Sequence, residues 1–276
     1  MTLVQAFILG LVQGLTEFLP VSSSAHLVFV QHLMGFRGPL LFFDVVVHVG
    51  TLTALFIYFA SDLAHVIRDS IYGVFFLFQK KSLRQIAEVA PASYWGLGII
   101  VASIPTGLMG ILFKDQFESL FGSIKTVGFA LFGTTLLLWL TRHFQKGEKG
   151  IAKATLADFL MIGTFQGIAI TPGISRSGST ISAALYKGIQ REEAFRFSFL
   201  LAIPAILGAA LLELKHGFSL PHDQWTPVLV GFVTAAISGY ISLMFLAAIM
   251  KREKLHRFAL YTFSFGCLVL LFAYHA

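Results

Sequence analysis

Two stretches of this sequence carry most of its potential chemistry. The first runs Gln13-Gly14-Leu15-Thr16-Glu17-Phe18-Leu19-Pro20-Val21-Ser22-Ser23-Ser24-Ala25-His26. The second runs Pro172-Gly173-Ile174-Ser175-Arg176-Ser177-Gly178-Ser179-Thr180. Gln13 and Glu17 are four apart, so on a helix they share a face. If Ser22 to Ser24 cap a returning helix, Ser23 and His26, three apart, are neighbours as well. A serine hydroxyl is a poor nucleophile near neutral pH unless an adjacent base takes its proton. Glu17 and His26 are the bases at hand. Arg176 is flanked by two hydroxyls, Ser175 and Ser177, with Gly173 and Gly178 permitting a tight backbone. A guanidinium fork beside hydroxyls and the free N–H groups of a helix N-terminus suits phosphate oxygens.

These residues are set in a very apolar chain. Of 276 residues, 56% are hydrophobic and only 12% charged, and mean hydropathy is +0.79. A soluble domain carries roughly 25% charged residues. No soluble core of this size hides so much apolar surface, which excludes a soluble globular enzyme, and the same composition excludes intrinsic disorder. The apolar runs are long and do not alternate, which argues against a transmembrane β-barrel. An all-α polytopic membrane protein remains. At about 20 residues per span, the chain has room for at most about ten segments. The formal charge of +6 does not point to nucleic acid, because the basic residues fall between apolar segments. The single cysteine, Cys267, excludes an intrachain disulfide. Residues 1–20 lack a basic n-region and read as a membrane segment rather than a cleaved leader.

Both reactive stretches interrupt apolar sequence at membrane depth. Irregular backbone survives there only inside protein or beside a water-filled cavity. Both therefore read as tips of re-entrant helical hairpins, at about 3–33 and 155–190. They are also related by an offset of 153 residues, which lays Gly10 on Gly163, Gln13-Gly14 on Gln166-Gly167, Ser22 on Ser175, Ser23 on Arg176 and Ser24 on Ser177. Interrupted segments at matching places in two halves point to a midplane site. Charge counting is independent of the repeat. Fifteen of the 20 Lys and Arg lie in 62–85, 142–153, 187–196 and 251–257, which the positive-inside rule assigns to the cytoplasm. Each half is then one hairpin followed by three spanning helices, so the second half is inserted upside down. The expected fold is a single membrane domain with an inverted-topology repeat, repeat 1 covering about 1–141 and repeat 2 about 155–276. It has six transmembrane helices and two oppositely inserted hairpins, with both termini outside and the site opening outward. The run 66–78, set among Arg68, Asp69, Lys80 and Lys81, reads as an interfacial amphipathic helix. Asp44 either adds a carboxylate to the site or lies at the membrane interface. His48, one turn on, reads as structural.

The two motifs resemble those of the undecaprenyl-diphosphatase, or bacitracin-resistance protein, family. Its first motif, Glu or Gln followed by three residues and Glu, is read from Gln13 to Glu17. Its second, Pro-Gly-x-Ser-Arg-Ser-x-x-Thr, is read from Pro172 to Thr180. The stretch Phe195 to Pro204 is also similar, and the resemblance spans the whole chain. The chain has Gln13 where many members have Glu, so it carries one carboxylate fewer, and Ser24-Ala25 stands where Thr-Gly is common. The resemblance implies cleavage of undecaprenyl diphosphate to the monophosphate and inorganic phosphate in the bacterial cytoplasmic membrane, which recycles the lipid carrier of peptidoglycan synthesis.

The residue-level expectation is that Ser23 attacks the terminal phosphorus. Glu17 and His26 handle protons or a metal, and Arg176 holds phosphoryl oxygens. Gln13, Ser22, Ser24, Gly173, Ser175, Ser177 and Thr180 line the substrate. A divalent cation, Mg²⁺ or Ca²⁺, bridges Glu17 and the diphosphate, with Gln13 as a neutral ligand. The expected partners are a polyprenyl diphosphate and membrane lipid, with a homodimer left open. The competing reading is a transporter or flippase for an anionic prenyl phosphate, since broken helices in inverted repeats also build transporters. A nucleophile set beside a base favours hydrolysis over simple binding.

Overall fold

The structure is a computed structural model and describes residues 1–36, 38, 40–79, 89–144, 147–215, 224–250 and 255–275. Among these residues regular structure is helical: α1 (Leu3–Glu17), α2 (Ser23–Leu33), α3 (Leu41–Tyr58), α4 (Ala60–Phe78), α5 (Ser93–Leu112), α6 (Lys114–Phe121), α7 (Ile124–Leu140), α8 (Leu156–Ile168), α9 (Arg176–Tyr186), α10 (Arg191–Lys215), α11 (Trp225–Met250) and α12 (Phe258–His275). Six stretches of helix are long and apolar enough to cross a membrane: Leu41–Tyr58, Ser93–Leu112, Ile124–His143, Arg191–Leu212, Trp225–Met250 and Leu255–His275. Their outer faces expose Ile57, Ile100, Leu136, Leu229 and Leu260, side chains that a bilayer accommodates and water does not. The helix α4 carries Asp62, Arg68 and Asp69 while exposing Ile67, Ile71, Val74 and Phe75. This is the two-sided character expected of the run 66–78. Lys80, Lys81, Arg84, Lys146, Lys251, Arg252 and Lys254, counted above for topology, lie outside the described residues.

The short helices start on capping residues. Thr2 caps α1 in a reciprocal arrangement with Gln5, and Thr155 caps α8 in the same way with Asp158. Ser22 caps α2 and Ser175 caps α9, each accepting from the backbone N–H three residues on. Such caps satisfy donors that a helix start otherwise leaves open. Ser22 holds φ at 68°, the left-handed region, which a non-glycine residue adopts only when its surroundings enforce it. At the base of α8, Asp158 is buried and paired with Lys149 and Lys187. Burial alone would raise its carboxyl. Hydrogen bonds from Lys149, Thr155 and Lys187 overcome that and hold it at about 2.

The packing of these short helices depends on missing side chains. The α1 helix lies on α11 and α8 lies on α5. A Cβ on Gly10 would come within 2.5 Å of the Gly231 carbonyl, and one on Gly163 within 1.9 Å of the Ala102 carbonyl. Small residues allow such backbone contact between membrane helices, and hydroxyls then bond across it. Thr106 Oγ1 donates to the Gly163 carbonyl at 2.9 Å and Ser242 Oγ to the Leu15 carbonyl at 2.8 Å. Below the tips lies an aromatic core in which Phe18, Phe59, Phe159, Phe197 and Phe199 are fully buried.

Gly163→Val overpacks the α8–α5 contact and is expected to cost about 1–3 kcal/mol. In a thermal unfolding measurement in detergent its midpoint falls below that of the parent chain. Gly107→Ala, whose Cβ meets nothing within 4 Å, does not lower it.

Candidate active site

The turn after α1 and the turn before α9 meet. Gly173 N–H donates to Ser24 Oγ at 3.3 Å, and Ser177 Oγ donates to the Leu19 carbonyl at 3.2 Å. A third support comes from α7, where Thr134 Oγ1 donates to the Gly173 carbonyl at 2.8 Å and accepts from Ser175 N–H at 2.9 Å. Together these contacts occupy backbone groups that neither turn satisfies alone.

Glu17 is the hub. Its Oε1 accepts from Arg176 Nη2 at 2.8 Å. Its Oε2 accepts from Ser23 Oγ at 2.6 Å and from Gln13 Nε2 at 2.9 Å. His48 Nε2 stands 3.5 Å from the same Oε2. Glu17 and Arg176 side chains are 5% and 15% exposed, so the pair is largely withdrawn from water. Arg176 also lies over the Phe199 ring at 5.4 Å, and its Nη1 is buried without a hydrogen-bond partner. A cavity of about 290 Å³ opens over these groups, with Glu17, Ser22, Ser23, Ser24, Ser175 and Arg176 in its polar wall and Asp44 and His48 facing them from α3. A second cavity of about 580 Å³ adjoins it, and Arg176 lines both. Apolar residues of α5, α6 and α10 make up most of its wall.

Residues 6–268 match the family described as bacitracin resistance protein BacA. The chain belongs to that family. A relative from Alkaliphilus metalliredigens, named undecaprenyl-diphosphatase, is 41% identical over 276 residues and 99% of both chains. One of the same name from Carboxydothermus hydrogenoformans is 43% identical over 97% of this chain and 96% of its own. Another from Methanobrevibacter smithii is 39% identical over 98% of each. With six helices among the described residues long and apolar enough to span, and this family, the chain is a multi-pass membrane protein.

Within this BacA-family chain the expected site residues divide by position. Glu17, Ser22, Ser23, Ser24, Ser175 and Arg176 reach the cavity. The others stand behind it. Gln13 and Ser177 brace Glu17 and Leu19. Gly173 contributes backbone only. Thr180 Oγ1 donates to the Arg176 carbonyl at 2.9 Å and contacts Ser198 Oγ at 2.5 Å, fixing the start of α9. His26 does not touch Ser23's hydroxyl. Its Nδ1 donates to the Ser22 carbonyl at 2.8 Å, its Nε2 accepts from Tyr261 at 2.8 Å, and its ring stacks on Phe265. It is therefore a brace for the strained Ser22, and Glu17 alone is the base in contact with Ser23. Asp44 and His48 join the site from α3, with Asp44 Oδ1 accepting from Gln31 Nε2 at 2.7 Å.

The expected cation can be tested against this donor set. Both oxygens of Glu17 are engaged by donors of the chain, and Gln13 presents its N–H rather than its carbonyl to the carboxylate. Gln13 Oε1 is buried without a hydrogen-bond partner, but one amide oxygen is not a coordination cage. No group of three or more His, Cys, Asp and Glu suited to a metal occurs among the described residues. Glu17 and Gln13 as arranged do not fit a resident metal ion, which would sit against the Arg176 guanidinium.

Removing one partner of a buried ion pair leaves an uncompensated charge, at about 3–5 kcal/mol. Arg176→Ala is therefore expected to lower the unfolding midpoint. Adding Glu17→Gln to it recovers most of the loss. Equal loss in the single and double variants would show that the pair does not carry this energy.

Proposed function

We propose that this chain hydrolyses undecaprenyl diphosphate to undecaprenyl phosphate and inorganic phosphate, recycling the lipid carrier for peptidoglycan synthesis and thereby conferring bacitracin resistance. The observation that carries the reading is the chain of contacts Ser23–Glu17–Arg176 at the wall of one cavity. The relatives' shared name supports the substrate. The hydroxyl is already hydrogen-bonded to a carboxylate, an arrangement that activates a nucleophile and that binding alone does not call for. That favours hydrolysis over a transporter.

Phosphoryl transfer needs positioning and compensation of negative charge spread over the equatorial oxygens. In this reading Ser23 Oγ attacks the terminal phosphorus and its proton passes to Glu17 Oε2. The bond from that phosphorus to the bridging oxygen breaks, and undecaprenyl phosphate leaves. Arg176 Nη1, a buried donor without a partner, is the group left to take a phosphoryl oxygen. The larger apolar cavity beside Arg176 suits the first isoprene units of the lipid. Mg²⁺ or Ca²⁺, where present, is assigned to the substrate's own phosphates, the usual way Mg²⁺ is held, and no step runs through it.

The inverted repeat and the two re-entrant hairpins belong to the same proposal. Supporting it, α2 and α9 are each 11 residues long and begin 153 residues apart. The first hairpin packs through α1 on α11 of the second half, while α8 of the second hairpin packs on α5 of the first. In this proposal 113–125 faces outward and 142–153 inward across the cytoplasmic membrane, as the distribution of Lys and Arg supports, and the site opens to the outer face.

Two measurements test the reading. Purified Arg176→Ala loses about 10²–10³ in phosphate release from a long-chain prenyl diphosphate, as when a preorganised charge-stabilising group is removed, and Ser23→Ala loses at least as much. Near-parental turnover of Ser23→Ala would make Ser23 a cap and water the nucleophile. For topology, cysteines at the exposed positions Ser119 and Lys153 are introduced in a Cys267→Ala background. An impermeant maleimide labels Ser119→Cys on intact cells and Lys153→Cys only after permeabilisation. The reverse pattern inverts the orientation.

A further inference from the structure

The reaction above leaves its second half without a base. Once Ser23 carries the phosphoryl group, Glu17 holds the serine's proton and cannot take another from the water that must release phosphate. Any second base has to face the same cavity. Among the described residues that line it, the titratable side chains other than Glu17 and Arg176 are Asp44 and His48.

His48 is the one placed against the reacting atoms. Its Nδ1 lies 2.6 Å from the Asp44 carbonyl one turn back on α3. A carbonyl only accepts, so Nδ1 carries the hydrogen, and in the neutral ring the lone pair is on Nε2. Nε2 is the atom 3.5 Å from Glu17 Oε2, and that oxygen is 2.6 Å from Ser23 Oγ. Nε2 is thus separated from Oγ by no more than those two contacts laid end to end, and both side chains line the same cavity. The His48 side chain is 31% exposed against 5% for Glu17, so it is the member of the cluster that water reaches. Asp44 is tied by Gln31 and has no contact with Glu17 or Ser23 among those described.

We infer that His48 is the base of the dephosphorylation half-reaction, taking a proton from the water that attacks phosphorus on Ser23. The inference rests on the reading of Ser23 as nucleophile. Once Glu17 has taken the serine's proton it can accept no other, whereas the Nε2 lone pair, on the more exposed side chain, is open to water. Water oxygen then bonds to phosphorus and its proton goes to Nε2. The bond from phosphorus to Oγ breaks, Oγ recovers its proton from Glu17, and inorganic phosphate leaves. His48 returns its proton to solvent, and the site is restored.

The experiment uses purified full-length protein and a prenyl diphosphate labelled at the terminal phosphorus, quenched in acid at early times. Lipid monophosphate, free phosphate and protein-bound label are counted separately. His48→Gln keeps an N–H toward Glu17 but supplies no base, and His48→Ala removes both. Both are read only on preparations that elute as a single species and unfold at the parental midpoint. Asp44→Asn, which alters the other titratable group of α3 at the cavity, serves as the alternative base. In both His48 variants the first turnover still releases lipid monophosphate, label accumulates on Ser23, and free phosphate slows by about 10²–10⁴, the usual size of a general-base contribution. Unchanged phosphate release overturns the inference. So does loss of lipid monophosphate and phosphate together without bound label, which would put His48 at the first transfer, and so does accumulation in Asp44→Asn but not in the His48 variants. Ser23→Ala run alongside separates the two readings. If it turns over normally and no protein is ever labelled, the serine reading has failed, whatever His48 does.

Discussion

The contact between Glu17 and Arg176 ties together residues 159 positions apart, and most of the structure can be understood as what that contact requires. Two charges withdrawn from water lose several kcal/mol each of solvation, regained only when geometry is good and the remaining donors and acceptors are filled. Glu17 meets the condition with Ser23 and Gln13 on its second oxygen. Arg176 meets it in part, through Glu17 and the face of Phe199, and keeps one donor edge in reserve. The guanidinium therefore has one edge engaged in the fold and one without a partner. A lysine could hold Glu17 but would not have a second planar edge for phosphate.

For the pair to form, two irregular turns must come together in an apolar environment. Backbone groups there have no water to fall back on, so hydroxyls from three elements are turned to them. Thr134 bonds two groups of the second turn, Ser24 takes an N–H across to it, and Ser177 reaches back to the first. The left-handed Ser22 is the strained point of this assembly. His26, bonded to its carbonyl, stacked on Phe265 and hydrogen-bonded to Tyr261, holds it there. The close backbone contacts of α1 and α8 serve the same end at longer range, because a hairpin that lay one side chain farther from its neighbour would carry its tip away from the other.

Most of the fold was legible in the residues. The apolar runs anticipated six long helices, and the paired serines and glycines anticipated the places where α2 and α9 begin. The juxtaposition of Glu17, Ser23 and Arg176 was also legible, because their types are costly at membrane depth unless they meet. The role of His26 was not. Helical spacing says that Ser23 and His26 are neighbours along α2, but not which way the shared face turns. In the folded chain Ser23 turns toward α1 while His26 turns toward α12. His48 was passed over for a similar reason. Within Asp44-Val45-Val46-Val47-His48 it is one of two polar groups on an apolar helix, and only the packing of α3 beside the first turn brings it to Glu17. The i, i+4 spacing of Asp44 and His48 was the signal that both face one way.

The polarity of the two cavities adds a further constraint. The smaller one gathers the serines, Glu17, Arg176, Asp44 and His48, and the larger is walled mostly by apolar side chains. Arg176 stands at the boundary between them. A ligand that is anionic at one end and hydrocarbon at the other is better matched in one orientation, since reversing it would set a diphosphate against a mostly apolar wall and hydrocarbon against the serines. Orientation is thus set by desolvation before any specific contact is made. A free inorganic diphosphate would gain only the polar chamber, and a neutral lipid only the apolar one. A ligand that uses the whole space has its anionic end set beside Ser23 and Arg176 by the burial of its own chain. This is how binding energy remote from the reacting atoms comes to serve their alignment.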